Sequence, residues 1–219
     1  TTSRSQYFRG DIEGLRAIAV LLVIGAHFSI SGLAAGFIGV DIFFVISGFL
    51  ISTIIFSNLE NETFEFIEFY SRRIKRIFPA LILVLTTSYT IGWFLLLADE
   101  YKQLGKHMAG GVCFISNFLL MEEIGYFDKT AETKPLLHLW SLGIEEQFYI
   151  FWPLLLYFVH KHSINIMPII FSVAIVSFLL NIGMVHIDTG AAFYSPQTRA
   201  WELLFGSMTA YFLIYKNKL

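Results

Sequence analysis

The chain has 219 residues, of which 56% are hydrophobic and only 15% are charged, and its formal net charge is −2. Soluble domains average about 25% charged residues, so this composition excludes an ordinary soluble domain and favours an integral membrane protein. The near-neutral charge lacks the basic excess of nucleic-acid-binding proteins. The single cysteine, Cys113, excludes an intrachain disulfide, and no Cys/His spacing resembles a metal site.

The apolar segments are about twenty residues long and unbroken, which predicts helical spans rather than the short alternating strands of a membrane barrel. We therefore expect an all-α, polytopic transmembrane helical bundle. Six spans are predicted, near residues 14–31, 37–57, 77–97, 139–159, 164–184 and 199–215. The segment 104–122 is apolar but interrupted by glycines, so the sequence predicts either a seventh span or a re-entrant hairpin there. We expect the first span to be retained rather than cleaved as a signal peptide, because another span follows at once.

Lysine and arginine placement predicts the orientation of the bundle. Arginines precede the first span, and a basic cluster at 72–76 follows the second, so both segments are expected on the cytoplasmic side with the N-terminus. If 104–122 re-enters without crossing, the basic stretches at 160–162 and 216–218 also fall inside. That arrangement collects more positive charge in the cytoplasm and favours the re-entrant alternative.

The first predicted span contains a cation near its start and a histidine near its end. Arg16 and His27 are eleven residues apart, which is about 16 Å along a helix. This spacing places Arg16 at a membrane face and His27 inside the bilayer. Ionisable groups in lipid are costly and usually mark a pathway or reaction site, so we interpret both as catalytic candidates.

Asp41 lies near the start of the second span, at the same predicted depth as His27. A carboxylate bonded to one ring nitrogen fixes the tautomer and raises the basicity of the other nitrogen, as a general base requires. We therefore expect His27 to be oriented by Asp41 or by a glutamate of the span at 139–159. The alternative is a buried polar pair that only fixes the register of the two helices.

The span at 139–159 begins with polar residues that cannot face lipid. Glu145 and Glu146 point about 100° apart on a helix, so at most one faces a given partner, and we assign Glu146 to the catalytic set. Arg199 and Glu202 supply either a matching polar patch on the last span or an intrahelical ion pair. Five residues are assigned to the substrate side: His138, Trp140, Glu145, Arg199 and Glu202.

A basic segment opens the third span, with Arg72, Arg73 and Arg76. Such a cluster is typical of ordinary positive-inside charge. The alternative is an anion clamp that holds the phosphates of a nucleotide cofactor.

Five motifs in chain order resemble the membrane domain of acyltransferase family 3, the O-acyltransferases of bacterial surface polysaccharides. They lie at 8–17 with His27, 39–51, 69–79, 136–149 and 199–206. The resemblance implies acetyl-CoA as cytoplasmic acyl donor, an essential His27, a role for Arg72 and Arg73 in donor use, and a glycan hydroxyl as outer acceptor. It also implies the bacterial inner membrane as location.

Family members commonly have about ten spans and often a further extracytoplasmic esterase-like domain. Residues 1–219 are therefore expected to form a single acyltransferase domain that is incomplete at its C-terminus. His27 would act as base or as acyl carrier, and the sequence does not separate these routes. Two other hypotheses stay open at this stage: a proton-coupled transporter or flippase of a lipid-linked sugar that relays protons through His27, Asp41 and Glu146, and a non-catalytic membrane scaffold.

Overall fold

A computed structural model describes residues 9–30, 33, 35–123 and 134–215. Helices are the only regular secondary structure in these ranges. They are α1 (Gly10–His27), α2 (Ile38–Glu60), α3 (Phe66–Leu95), α4 (Ala98–Val112), α5 (Ser116–Glu123), α6 (Leu139–Lys161), α7 (Ile166–Val185), α8 (Thr189–Tyr194) and α9 (Pro196–Tyr215). The prediction of an all-α protein is confirmed.

Three of the helices are long and apolar enough to cross a membrane. These are α2, α3 and α7. The other predicted spans are also helical, in α1, α6 and α9, but each carries polar or charged side chains that lower its hydropathy. The six predicted spans are thus present as helices, while length and composition support three of them as membrane spans.

Helix α3 begins eleven residues before the predicted span, at Phe66 instead of residue 77. The basic segment is therefore inside a helix and not a lead-in to it. The prediction began too late because hydropathy excludes charged residues, whereas a helix only requires that its backbone hydrogen bonds continue. Pro79 lies inside α3 and does not end it.

The helices run alternately between two ends of the bundle. At the end that we call the lower end, the Phe66 ring of α3 contacts Tyr157 of α6, with 5.2 Å between centroids. There also, Phe56 near the end of α2 contacts Tyr211 of α9 at 5.9 Å. The α2–α3 turn, the α6–α7 turn and the end of α9 therefore share the lower end, and α2 and α6 begin at the upper end.

Because α3 ends and α6 begins at the same end, the segment between them folds back. Helices α4 and α5 form this hairpin, and their turn contacts α3 and α6 part-way along the bundle. The Phe114 ring lies 6.1 Å from Phe78, and Gln147 donates a hydrogen bond to the Phe114 carbonyl at 2.7 Å. The hairpin of α4 and α5 is consistent with the re-entrant alternative for 104–122, which stays a prediction.

Helices α2 and α9 approach each other closely, backbone against backbone. A Cβ atom on Gly48 would lie 1.9 Å from the Leu203 carbonyl oxygen, and one on Gly206 would lie 2.0 Å from that of Val45. Trp152 of α6 donates to Ser52, and Ser52 donates to Ser207. This contact forms the centre against which α1, α6, α7 and α8 pack.

Helix α1 packs against the upper half of α2. Gly39 lies against Ala19 and Val23, and the guanidinium of Arg9 lies 5.7 Å from the centroid of the Phe49 ring, near the middle of α2. Arg16, about two turns above Arg9, is therefore level with the upper half of α2, and the exposed His27 lies at the upper end of α1. The predicted depths of Arg16 at a membrane face and of His27 inside the bilayer stay predictions.

Candidate active site

Two cavities lie side by side between α1, α2, α3 and α6. The first, which we call the basic cavity, has a volume of about 200 Å³. Its walls carry three cations and two carboxylates: Arg16, Arg73, Arg76, Glu145 and Glu146. It brings together α1, α3 and α6 residues that the sequence separates by up to 130 positions.

Arg73 is engaged on two sides. Its Nη2 atom donates to Oε1 of Glu146 at 2.7 Å, and its guanidinium carbon lies 3.6 Å from the centroid of the Tyr149 ring. The side chains of Arg73 and Glu146 are only 17% and 11% exposed. A shielded ion pair stacked on an aromatic ring fixes the relative positions of α3 and α6. Among the described residues, no hydrogen bond or ion pair joins Glu146 to His27.

The three arginines predicted for donor binding have different surroundings. Arg72 is exposed, forms an ion pair with Glu68 on its own helix at 3.0 Å, and does not line the basic cavity. Arg76 lines the cavity and forms no ion pair with another described residue. An arginine fork without a carboxylate partner is the group that a phosphate would recognise most readily.

The second cavity, which we call the histidine cavity, has a volume of about 240 Å³. Its polar lining includes His138, Ser141 and Glu145, and Trp140 forms part of its wall. Phe43 and Glu145 line both cavities and therefore form the partition between them.

Glu145 is held in the partition by two hydroxyl groups. Ser47 Oγ donates to its Oε1 atom at 3.0 Å, and the Tyr149 hydroxyl donates to its Oε2 atom at 3.3 Å. The sequence reasoning missed Ser47 and Tyr149. Tyr149 follows Glu145 by four residues, a spacing that places both on one helix face, and this signal could have identified it.

His27 contacts a second imidazole at the upper end of the histidine cavity. The ring centroids of His27 and His138 are 4.7 Å apart. The Nδ1 atom of His27 lies 3.0 Å from the Val23 carbonyl oxygen, which can only accept, so Nδ1 donates this hydrogen bond and Nε2 is the ring nitrogen left for other partners. Val20, Val23 and Ile24 of the cavity wall lie on the same face of α1 as His27.

Asp41 does not pair with His27, which corrects the expected dyad. Since Gly39 packs against Ala19 and Val23, Asp41 lies about two helical turns below His27. Its carboxylate instead pairs with Arg199 of α9. The backbone carbonyl of Val23 holds the His27 tautomer in place of the expected carboxylate.

Arg199 is enclosed by carboxylates and aromatic rings. It lies between Asp41 and Glu202, which is 3.1 Å away and only 1% exposed. Three rings surround the guanidinium at 5.4 to 5.8 Å: Phe44, Trp140 and Phe193. The intrahelical ion pair between Arg199 and Glu202 is thus present, and neither residue lines the basic or the histidine cavity.

The tip of the α4–α5 hairpin is bonded to the site through Gln147. The Gln147 side chain donates to the Phe114 carbonyl and to Oδ1 of Asn117, at 2.7 and 2.9 Å. Asn117 is fully buried and donates onward to the Tyr194 carbonyl at 3.1 Å. The hairpin therefore fixes the helix that carries Glu145 and Glu146, a role that the sequence did not reveal.

Among the described residues, no cluster of three or more His, Cys, Asp or Glu side chains could hold a metal ion.

The helical bundle and its adjoining polar cavities define a membrane protein with an internal polar site. The chain belongs to acyltransferase family 3, because the acyltransferase domain of that family matches residues 9–216. No solved structure matches the chain.

Several curated relatives are similar over nearly the whole chain. The peptidoglycan O-acetyltransferase OatA of Listeria monocytogenes is 34% identical over 96% of this chain and 35% of its own length. The putative peptidoglycan O-acetyltransferase YrhL of Bacillus subtilis is 35% identical over 95% of this chain and 34% of its own length. An uncharacterized protein of Haemophilus influenzae is 34% identical over 81% of this chain and 76% of its own length. The chain thus spans about a third of the length of the first two relatives.

Proposed function

We propose that this chain is the membrane domain of an O-acetyltransferase that moves an acetyl group from acetyl-CoA to a hydroxyl of a cell-surface glycan. Membership of acyltransferase family 3 supports the reaction class. The names of the relatives support peptidoglycan as the glycan. The observation that carries the proposal is that the arginine-lined basic cavity and the histidine cavity share a wall at Phe43 and Glu145, with the His27–His138 pair beside the second cavity.

The donor enters from the lower end, which we place in the cytoplasm with the N-terminus. Arg76 and Arg16 hold its phosphates in the basic cavity, while Arg73 is kept in position by Glu146. The pantetheine arm passes Phe43 and Glu145 into the histidine cavity. Arg16 and His27 are eleven residues apart on one helix, so the anion site and the imidazole are about 16 Å apart. The pantetheine arm spans this distance and places the thioester at the imidazole.

The acceptor approaches from the upper end, where His27 is exposed. The Nε2 lone pair of His27 takes the proton of the glycan hydroxyl as its oxygen attacks the thioester carbon. The tetrahedral intermediate then collapses, the carbon–sulfur bond breaks, and CoA leaves as the thiol. Proton removal by a positioned imidazole typically contributes 10²- to 10⁴-fold to such a rate.

The remaining predicted residues position these groups. The ion pair of Arg199 with Asp41 joins α9 to α2 below the two cavities, and Glu202 lies beside it. Trp140 contacts Arg199 and also forms part of the wall of the histidine cavity. We propose that they act on structure and do not contact the acceptor. Relatives about three times as long as this chain are consistent with a further extracytoplasmic domain in the whole protein.

The experiment that tests the function uses membranes that contain the chain, acetyl-CoA labelled in the acetyl group, and soluble peptidoglycan fragments. We expect label on glycan oxygen and release of one CoA thiol per acetyl transferred. The rate should not change when an uncoupler abolishes the pH gradient. Label that never leaves CoA, together with uncoupler-sensitive movement of a lipid-linked sugar, would instead support a transporter.

A further inference from the structure

The two imidazoles of the site occupy different positions relative to the two substrates. Both imidazoles are exposed, but His138 lines the histidine cavity whereas His27 is not part of its lining. A thioester that comes through the basic cavity therefore reaches His138 before it reaches His27. His138 is the ring nearer to the donor, and His27 lies on the far side of it.

We propose that His138 is the general acid that protonates the departing sulfur, while His27 is the general base that deprotonates the hydroxyl. This inference rests on the proposed acetyl transfer and adds a second catalytic residue to it. The sequence alone predicts a substrate-side role for His138.

The proposed steps balance. His27 Nε2 takes the hydroxyl proton as the new oxygen–carbon bond forms the tetrahedral intermediate. That proton passes to His138, whose ring is in contact with His27 at 4.7 Å between centroids. The carbon–sulfur bond then breaks, its electron pair stays on sulfur, and His138 gives the proton to that sulfur. Both rings return to their neutral state, so the hydroxyl proton ends on the CoA thiol.

The surroundings of His138 suit this role. The titratable groups that face it are His27 on α1 and Glu145, which lines the same cavity. Partial burial lowers the pKa of His138, and the neighbouring His27 lowers that pKa further. The ring is therefore neutral at rest and donates readily once it is protonated. Both carboxylate oxygens of Glu145 already accept hydrogen bonds, one from Ser47 and one from Tyr149, so Glu145 is held by partners other than His138.

A pair of donors with different leaving groups tests the assignment. Acetyl-CoA releases a thiol that benefits from protonation, whereas 4-nitrophenyl acetate releases an anion that is stable at neutral pH. We expect His138→Ala to lower kcat with acetyl-CoA about 100-fold or more, with little change in KM, because general acids contribute about 10²- to 10⁴-fold. With 4-nitrophenyl acetate the same variant should transfer acetyl to peptidoglycan fragments at close to the unsubstituted rate.

His27→Ala is expected to lose activity with both donors, since the hydroxyl must be deprotonated in either case. Equal losses with both donors for His138→Ala, or no loss with either, would overturn the general-acid role and leave the acetyltransferase proposal intact. Donor-dependent loss in Glu145→Gln but not in His138→Ala would assign the acid to Glu145 and also overturn it. His138→Gln and a melting curve for each variant show whether a loss reflects unfolding. Full activity of His27→Ala would contradict the proposed function itself.

Discussion

Arg76 and Arg72 are both predicted to bind the donor, but their environments differ. Arg76 lines the basic cavity, whereas Arg72 lies outside it in an exposed ion pair with Glu68. Replacing Arg76 by Gln removes a charge-assisted contact worth about 1.5–3 kcal/mol, so we expect KM for acetyl-CoA to rise about 10- to 100-fold. Steady-state kinetics with varied acetyl-CoA measures this change.

Arg72→Gln is the matched control, because exposed ion pairs contribute about 0–1 kcal/mol and the side chain does not reach the cavity. Its KM should stay close to the unsubstituted value. If Arg72→Gln impairs donor use as strongly as Arg76→Gln, Arg76 in the basic cavity does not bind the donor specifically.

The Arg73–Glu146 pair is shielded by Tyr149 and by the cavity wall. Removing one partner leaves a partly buried charge unpaired, which typically costs about 3–5 kcal/mol. We therefore expect Glu146→Gln or Arg73→Met alone to lower the melting temperature in detergent strongly. The double substitution should recover most of the loss, since no uncompensated charge is left. Losses that simply add in the double variant would show that the two side chains do not act as a pair.

Candidate residues could be selected from the sequence, while their partners could not. Charged groups in apolar helices must be functional or paired, which selected His27, Glu145 and Glu146, whereas Arg73 was selected from a basic cluster. Depth was estimated from helix ends, and the close contact of Gly39 with α1 changed that depth by about two turns. Asp41 is thereby paired with Arg199 and not with His27.

At the scale of elements, the contact between α2 and α9 fixes the relative positions of these two helices beside the site. A Cβ atom on Gly48 would clash with the Leu203 backbone, which cannot move without shifting α9. Gly48→Ala should therefore destabilise the bundle by about 1–3 kcal/mol, as overpacking does. Thermal unfolding in detergent, followed by circular dichroism, measures this loss.

Gly105 provides the control for that substitution. Nothing lies within 4 Å of a Cβ atom on this glycine of α4, so Gly105→Ala meets no obstacle. It should be neutral, or stabilising by up to about 1 kcal/mol, because alanine favours a helix. If both variants melt alike, close packing at Gly48 does not limit stability.

The interruption of the 104–122 segment could be predicted from its glycines, but the contacts of the α4–α5 hairpin could not. Gly110 and Gly111 indicated an interrupted segment, and the structure places Leu119 and Leu139 directly against them. The hydrogen bonds from Gln147 to Phe114 and Asn117 depend on the meeting of two distant segments. Such long-range pairings leave no periodic signal in the sequence.

For the whole molecule, the folded-back hairpin fixes which turns share a side of the membrane. Cysteines introduced by Glu62→Cys and His162→Cys, in a Cys113→Ser background, lie in the α2–α3 and α6–α7 turns at the lower end. We expect a membrane-impermeant maleimide to modify both only after the cytoplasmic face is exposed. Ile187→Cys, which lies between α7 and α8 at the upper end, should react in intact cells. Reaction of Glu62→Cys and His162→Cys from opposite sides would mean that 104–122 crosses the membrane.

In the proposed mechanism, His27 is the group that activates the acceptor at the upper end of the cavities. The most direct test is the rate of acetyl transfer from acetyl-CoA to peptidoglycan fragments by His27→Gln, with His162→Gln as the matched control in an exposed turn. We predict at least about a 100-fold loss for His27→Gln, with unchanged melting temperature and donor affinity, and no loss for His162→Gln. Transfer by His27→Gln at the unsubstituted rate would contradict the account.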